Sequence, residues 1–165
     1  MNRRPLRIIG INPGTRYLGI AVLDGSELLD WRIKALEGKW SKEKMSKAIR
    51  IISELIEKYK SNFLAIKKLH PSRRSQNLAR LVIHIKEFSK RKGLRIFQYS
   101  IKDLGGFFIP EKKQNKKNLA EAIVSGYPAL FHELQKEKSN RNFYYIRVIE
   151  ATALAAACAQ RSGKS

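Results

Sequence analysis

The N-terminal third of the chain alternates short apolar runs with turn residues, a pattern typical of β-strands. Apolar and β-branched residues dominate three segments, Arg7 to Ile11, Leu18 to Leu23 and Glu27 to Ile33. The second and third segments are joined by Asp24 to Ser26, which has the composition of a hairpin turn. These segments therefore predict three strands in an antiparallel meander.

Two longer segments repeat apolar residues every three or four positions, which predicts amphipathic helices. The first runs from Ser41 to Lys60 and is capped by its first residue, and the second runs from Ser75 to Lys92 and ends at Gly93. A short apolar run, Phe63 to Ile66, lies between them, and Leu94 to Tyr99 follows the second. This β-α-β order predicts two further strands and a partly parallel sheet.

The C-terminal part of the chain is less regular. Gly105 to Lys117 holds two glycines, a proline and four lysines, which predicts a loop. Helices are predicted from Asn118 to Ser125, from Leu130 to Lys138 and, among small apolar residues, from Val148 to Ala159. No repeat or break in composition divides the chain. We therefore expect one α/β domain over residues 1–165, with a mixed sheet flanked by helices.

The charge balance points to a polyanionic partner. The chain carries 34 Lys and Arg against 14 Asp and Glu, a formal net charge of +20, and 43% of its residues are hydrophobic. Nucleic-acid phosphates are the commonest counter-charge for such a folded domain, with acidic membrane surfaces as the alternative. The single cysteine excludes a disulfide framework, and no apolar run is long enough for a signal peptide or membrane span. We therefore expect a soluble, intracellular protein that binds nucleic acid.

The string IIGINPGT at residues 8–15, where the first strand meets its turn, carries the main family signal. With the order of elements and the chain length, it resembles the RuvC-type Holliday junction resolvases of the RNase H-like superfamily, over nearly the whole chain. The resemblance implies an RNase H-like mixed sheet and a nucleic-acid ligand. Actin-like ATPases use a similar phosphate loop, but their fold needs two such domains and this chain has room for one.

In RuvC proteins, carboxylates at the ends of two strands and in the last helix, before an Ala-Leu-Ala step, bind two magnesium ions. The matching places here hold Asn12, Lys67 and Thr152, and a further acidic or histidine position falls on Ile149. Neutral and cationic side chains cannot hold two dications about 4 Å apart. The resemblance therefore implies a degenerate site with no catalytic residue, no metal and no cofactor.

Glu150 is the acid nearest to this pattern. It lies two positions before Thr152, and residues two apart on a helix do not share a face. A one-residue shift of the last helix would nevertheless bring Glu150 to the edge of the sheet. This leaves one alternative open, an active magnesium-dependent crossover junction endodeoxyribonuclease that uses a displaced acidic site.

The resemblance also indicates where nucleic acid would bind. Lys67 would meet a phosphate where the family holds metal, and His70 takes the place of a phenylalanine that relatives insert at the junction. The other candidates are basic residues in neighbouring loops and helix starts, the last four in the family's backbone-binding region: Arg16, Arg73, Arg74, Arg80, Lys112, Lys113, Lys116 and Lys117.

RuvC proteins act as homodimers joined through the helix that matches Ser75 to Lys92. The apolar stripe Leu78, Leu81, Val82 and Ile85 would serve this contact, unless it belongs to the core. Taken together, the sequence predicts a pseudo-nuclease that binds branched or structured nucleic acid, Holliday junction DNA first, without cleaving it. A structural RNA-binding protein of a ribonucleoprotein is the other alternative.

Overall fold

A five-stranded mixed sheet forms the centre of the computed structural model, which describes residues 6–73, 75–133, 135 and 146–162. The strands are β1 (Arg7–Asn12), β2 (Tyr17–Asp24), β3 (Glu27–Ala35), β4 (Phe63–Lys67) and β5 (Arg95–Tyr99). They lie in the order β3-β2-β1-β4-β5. β2 pairs antiparallel with β1 and β3, whereas β4 pairs parallel with β1 and β5. The predicted meander and parallel crossover are both confirmed.

The helices with defined bounds flank this sheet. They are α1 (Lys42–Tyr59), α2 (Gln76–Arg91), α3 (Ile101–Phe108), α4 (Lys116–Gly126) and α5 (Ile146–Ser162). Single 3₁₀ turns span Pro71–Arg73 and Pro128–Leu130. The side chain of Ser41 caps α1 as predicted, and that of Ser75 caps α2 in the same way, each accepting a hydrogen bond from a backbone N–H of the first turn. Of the predicted helix from Leu130 to Lys138, residues 131–133 and 135 are helical, Leu130 ends the second 3₁₀ turn, and residues 134 and 136–138 lie outside the described residues.

Each face of the sheet is covered by helices. α5 packs closely on β1 and β2. This is possible because Gly10 has no side chain, whereas a Cβ at this position would collide with the backbone carbonyl of Ala151. On the other face, α1 and α2 bury Ile52 and Leu81 against the sheet. Among the described residues, every helix is too short or too polar to span a lipid bilayer.

The predicted loop from Gly105 to Lys117 is wrong at both ends. α3 continues to Phe108, and α4 already begins at Lys116, so the connection between them is only seven residues long. α3 forms despite its glycines because it starts with a capping box. The Ser100 side chain accepts a hydrogen bond from the backbone N–H of Asp103, and the Asp103 side chain accepts one from the backbone N–H of Ser100.

The apolar stripe of α2 belongs to the core. Leu81, Val82 and Ile85 are buried against α1 and the sheet, and Leu78 is partly buried beside them. Side chains enclosed by their own chain offer no surface to a second copy. The periodicity of Leu81, Val82 and Ile85 therefore reflects packing within the chain, so these three residues do not form the homodimer contact, and a homodimer itself stays a prediction.

Candidate nucleic-acid interface

The ends of β1 and β4 bring two predicted site residues together. Ile11 and Ile66 pair in parallel register, so Asn12 and Lys67, which follow them, are neighbours at the same edge of the sheet. Parallel strands always place their carboxyl ends together, which is why the sequence analysis could associate these two residues although 55 positions separate them.

Glu150 joins them from α5 and completes what we call the edge cluster, formed by Asn12, Lys67 and Glu150. Its Oε1 accepts hydrogen bonds from Asn12 Nδ2 at 3.3 Å and from Lys67 Nζ at 3.2 Å. Its Oε2 lies 3.7 Å from Lys116 Nζ, outside hydrogen-bond distance. The Glu150 side chain is 4% exposed, against 21% for Lys67 and 56% for Lys116. One buried carboxylate therefore binds the amide of Asn12 and the ammonium of Lys67, and lies close to the ammonium of Lys116.

The other two family positions on α5 lie away from the edge cluster. Thr152 is fully buried, and its Oγ1 donates to the carbonyl oxygen of Val148 at 2.9 Å, within its own helix. Ile149 packs in the hydrophobic core. The structure thus presents Glu150 to the sheet edge where the family alignment put Thr152. The reason is the phase of α5, since Arg147 faces β2 and Glu150, three residues later, lies on the same helix face.

The edge cluster lies in a cleft of about 730 Å³. Its lining comes from the turn after β1, the segment after β4, and the N-terminal residues of α3, α4 and α5. Among the described residues, five basic and two acidic side chains line it: Lys67, Lys68, Lys102, Lys116, Arg147, Asp103 and Glu150. Asp103 is engaged in the capping box and Glu150 in the edge cluster, so the cleft presents mainly positive charge.

The structure places only some of the predicted nucleic-acid-binding residues in the cleft. Lys67, His70 and Lys116 line the cleft. Arg73 ends the 3₁₀ turn that begins at Pro71, and Arg74 lies outside the described residues. The remaining candidates are exposed and lie outside the cleft lining: Arg16, Arg80, Lys112, Lys113 and Lys117. A cationic path to these residues would have to run over the surface beyond the cleft.

The ring of His70 is held by its own loop. Its Nδ1 accepts the backbone N–H of Ser72 at 3.2 Å and contacts the hydroxyl of the same serine at 2.6 Å. The residue remains exposed while it lines the cleft. Ser72 therefore holds the imidazole at the lining of the cleft, and base stacking by His70 stays a prediction.

Sequence reasoning missed three basic residues that line the cleft: Lys68, Lys102 and Arg147. The signal for Arg147 was its three-residue spacing from Glu150, which puts both on one face of α5. Lys102 carried no such signal, because the capping box that starts α3 had not been recognised.

The pKa shifts resolved in the protein belong to groups away from the cleft. Burial acts to raise the pKa of Asp30, but hydrogen bonds from Arg32 and from Tyr59 Oη, the latter at 2.6 Å, outweigh it and hold that pKa below its ordinary value. Burial and the bond to Asp30 raise the pKa of Tyr59. Burial also raises the pKa values of Tyr99 and Tyr127. None of these four residues is part of the cleft lining.

Comparison with solved structures identifies the fold. Thermus thermophilus RuvC in complex with Holliday junction substrate is 15% identical, with a TM-score of 0.69 over 96% of both chains. A second Thermus thermophilus RuvC structure is 13% identical in sequence, with a TM-score of 0.73 over 96% of this chain and 97% of that one. This chain has the RuvC-type fold. The yeast mitochondrial Holliday junction resolvase Ydc2 has a similar fold, with 12% sequence identity and a TM-score of 0.70 over 99% of this chain and 81% of its own.

The predicted RNase H-like α/β class is thereby confirmed. No protein-family model and no curated protein matches the sequence. At identities of 12 to 15%, the RuvC-type likeness establishes the fold and not the activity.

The edge cluster of this RuvC-type fold does not fit a pair of magnesium ions. The Lys67 ammonium occupies a strand end where the family pattern has a carboxylate, and it is bound to Glu150. A dication 4 Å from an ammonium is repelled by about 2 kcal/mol in water and about 8 kcal/mol at an effective dielectric of 20. Asn12 adds no negative charge, and its Nδ2 donates to the same carboxylate. Among the described residues, no three His, Cys, Asp or Glu side chains are grouped to hold a metal ion.

Proposed function

We propose that this protein binds branched nucleic acid, Holliday junction DNA first, without cleaving it. The observation that carries the proposal is the fixed ammonium of Lys67, held 3.2 Å from Glu150 at the sheet edge of a RuvC-type fold. A lysine there matches the charge of the only acid in the edge cluster and leaves the cleft positive, but it is no Lewis acid that could activate water. The site therefore favours binding over hydrolysis.

The electrostatics of the cleft support a polyanionic ligand. Besides the basic side chains, the N-terminal residues of α3, α4 and α5 line it, and helix N-termini carry partial positive charge. A formal net charge of +20 adds a long-range attraction to the local one. Because the Thermus thermophilus RuvC complex holds a Holliday junction substrate, junction DNA is the first ligand to test.

A second candidate function is junction cleavage from a displaced site, and the position of Glu150 favours it. Its carboxylate does reach the sheet edge and is almost fully buried. However, the charge of this acid is matched by Lys67, and Lys116 stands 3.7 Å away. A divalent ion would have to displace an ammonium before the carboxylate became available, so we favour binding.

A ligand panel tests the proposal. Four-way junction, duplex, single-stranded DNA and structured RNA are titrated by fluorescence anisotropy at matched salt, with and without magnesium, and the junction is then examined on a denaturing gel. We expect tightest binding to the junction and no strand cleavage. We also expect affinity to fall about 10³ to 10⁵-fold between 50 and 200 mM salt if six to ten phosphates are contacted.

Other outcomes would contradict the proposal in different ways. Cleavage that depends on magnesium or manganese would establish the nuclease alternative. Preference for structured RNA would support a role in a ribonucleoprotein. Affinity that does not change with salt would refute binding driven by phosphates.

A further inference from the structure

Arg147 differs from the other cations that line the cleft. Lys68 and Lys102 are exposed, and Lys67 is bound to Glu150. Arg147 is half-buried, yet the structure records no hydrogen bond or ion pair between its guanidinium and any described residue. An anionic ligand in the cleft would give this guanidinium the counter-charge that the described residues do not supply.

Two glycines determine where Arg147 lies. A Cβ on Gly14 would be 2.7 Å from Nη1 and 3.2 Å from Cζ of Arg147, so the guanidinium lies against the turn after β1. A Cβ on Gly19 would be 2.7 Å from the carbonyl carbon of Arg147, so the helix backbone approaches β2 closely. A side chain confined in this way loses little further freedom on binding, and its planar fork matches two phosphate oxygens.

Lys116 is the second cation available to an anion. Its Nζ lies 3.7 Å from Glu150 Oε2, and that buried oxygen has no hydrogen bond. Its side chain is 56% exposed at the first residue of α4. The Lys67 ammonium, in contrast, is hydrogen-bonded to Oε1 and only 21% of its side chain is exposed. Glu150 therefore holds Lys67 firmly and Lys116 loosely.

We propose that Arg147 and Lys116 form a phosphate-binding subsite in the cleft, which takes a phosphodiester of the nucleic-acid backbone. Lys67 is the structural counter-ion of Glu150 in this arrangement and not the main phosphate ligand. Glu150 is a positioning residue, because it fixes one lysine and lies beside the other. The inference rests on the proposed function and deepens it by naming the residues that hold the backbone.

The test compares Arg147→Ala, Arg147→Lys and Lys116→Ala with Arg91→Ala, an exposed arginine at the end of α2 and outside the cleft lining. Junction dissociation constants are measured over a series of salt concentrations. We expect Arg147→Ala to weaken binding about tenfold or more and to reduce the salt slope by about one. Arg147→Lys should restore the slope but not the full affinity, because the bidentate geometry is lost. Arg91→Ala should change affinity less than twofold.

A second measurement does not depend on the junction. Inorganic phosphate is titrated into ¹⁵N-labelled wild-type protein, and the Nε–Hε resonances of the arginines are followed by NMR. We expect a saturable shift of the Arg147 resonance that is weakened in Lys116→Ala. The spectra also show that each variant is folded, so a loss of binding is not mistaken for unfolding.

The Glu150→Gln variant tests whether the Glu150 carboxylate competes with phosphate for the neighbouring lysines. Removing the carboxylate charge leaves Lys67 and Lys116 without their shared anion, so we expect tighter phosphate and junction binding. Weaker binding by Glu150→Gln would contradict the assignment of Glu150 as a competing anion.

The subsite and the proposed function fail differently. If Arg147→Ala and Arg91→Ala bind the junction equally well and phosphate leaves the Arg147 resonance unshifted, the subsite is refuted while junction binding stands. If the wild type shows no preference for the junction but phosphate still shifts Arg147, the subsite stands and the proposed function is refuted.

Discussion

Replacing Lys67 by methionine tests whether charge holds the edge cluster together. Lys67→Met keeps most of the length of the side chain and removes its ammonium. The Glu150 carboxylate, 4% exposed, would then keep its hydrogen bond from Asn12 and the more distant Lys116 at 3.7 Å. A buried carboxylate that loses its closest cation destabilises the folded state, because water cannot replace the lost partner.

The expected magnitude follows from this burial. Removing one partner of a buried ion pair costs about 3 to 5 kcal/mol. Lys67 is 21% exposed and Lys116 remains nearby, so we expect the lower end, about 3 kcal/mol. For a chain of this size, that corresponds to a fall of about 6 to 12 °C in melting temperature. Adding Glu150→Gln removes the unpaired charge, so the double variant should recover about 1 kcal/mol or more of the loss.

Urea denaturation followed by circular dichroism gives the free energies of unfolding for this cycle, by linear extrapolation. Lys68→Met is the matched control, since Lys68 is the next residue, is exposed, and forms no ion pair with the described residues. We expect the control to change stability by less than about 0.5 kcal/mol. The reasoning would be refuted if Lys67→Met were as stable as the control, or if the double variant were less stable than Lys67→Met.

Three further predictions address the metal site, the packing of α5 and the pH dependence of stability. The double variant Asn12→Asp with Lys67→Glu would place two new carboxylates beside Glu150 at the sheet edge, so calorimetry should detect manganese binding. The absence of a heat of binding would contradict the geometry of the edge cluster. Gly10→Ala should destabilise the protein by about 1 to 3 kcal/mol or more, whereas Gly106→Ala, with open space around its Cβ, should stabilise it by about 0.5 to 1 kcal/mol, both measured by urea denaturation. The pKa of Asp30 is lowered in the folded state, so its contribution to the free energy of unfolding is present above about pH 4 and is lost as the pH falls through that lowered pKa. Asp30→Asn should therefore flatten the fall of stability at acid pH. An unchanged fall would contradict the lowered pKa.

The sheet and the main helices could be predicted from sequence because their signals are local. Short, continuous apolar runs define β1, β2 and β4, and the three- and four-residue spacing of apolar side chains defines α1 and α2. The beginning of α3 was also encoded locally, in the Ser-x-x-Asp pattern at Ser100 and Asp103. It was missed because the two glycines that follow were given more weight than the cap.

Periodicity alone could not tell what the apolar face of α2 packs against. Leu81 and Ile85 carry the same pattern whether they meet a second copy or their own sheet. The structure shows that they fill the core beneath α1, which depends on the crossover from β4 to β5 and not on the helix sequence. A dimer contact is a property of the surface, and a hydrophobic stripe does not distinguish a surface from a core.

The phase of α5 explains why the site could be predicted only in part. The strand ends that carry Asn12 and Lys67 are fixed by register, but the side of α5 that meets them is fixed by close packing at Gly10, opposite Ala151. That contact turns Glu150 toward the sheet edge and Thr152 away from it. The edge cluster thus keeps one acid, and this acid offsets the charge of a partly buried lysine at the end of β4. Because its charge is matched by Lys67, we expect this carboxylate to attract a dication weakly, and we propose that Lys116 and Arg147 make the cleft attractive to phosphate.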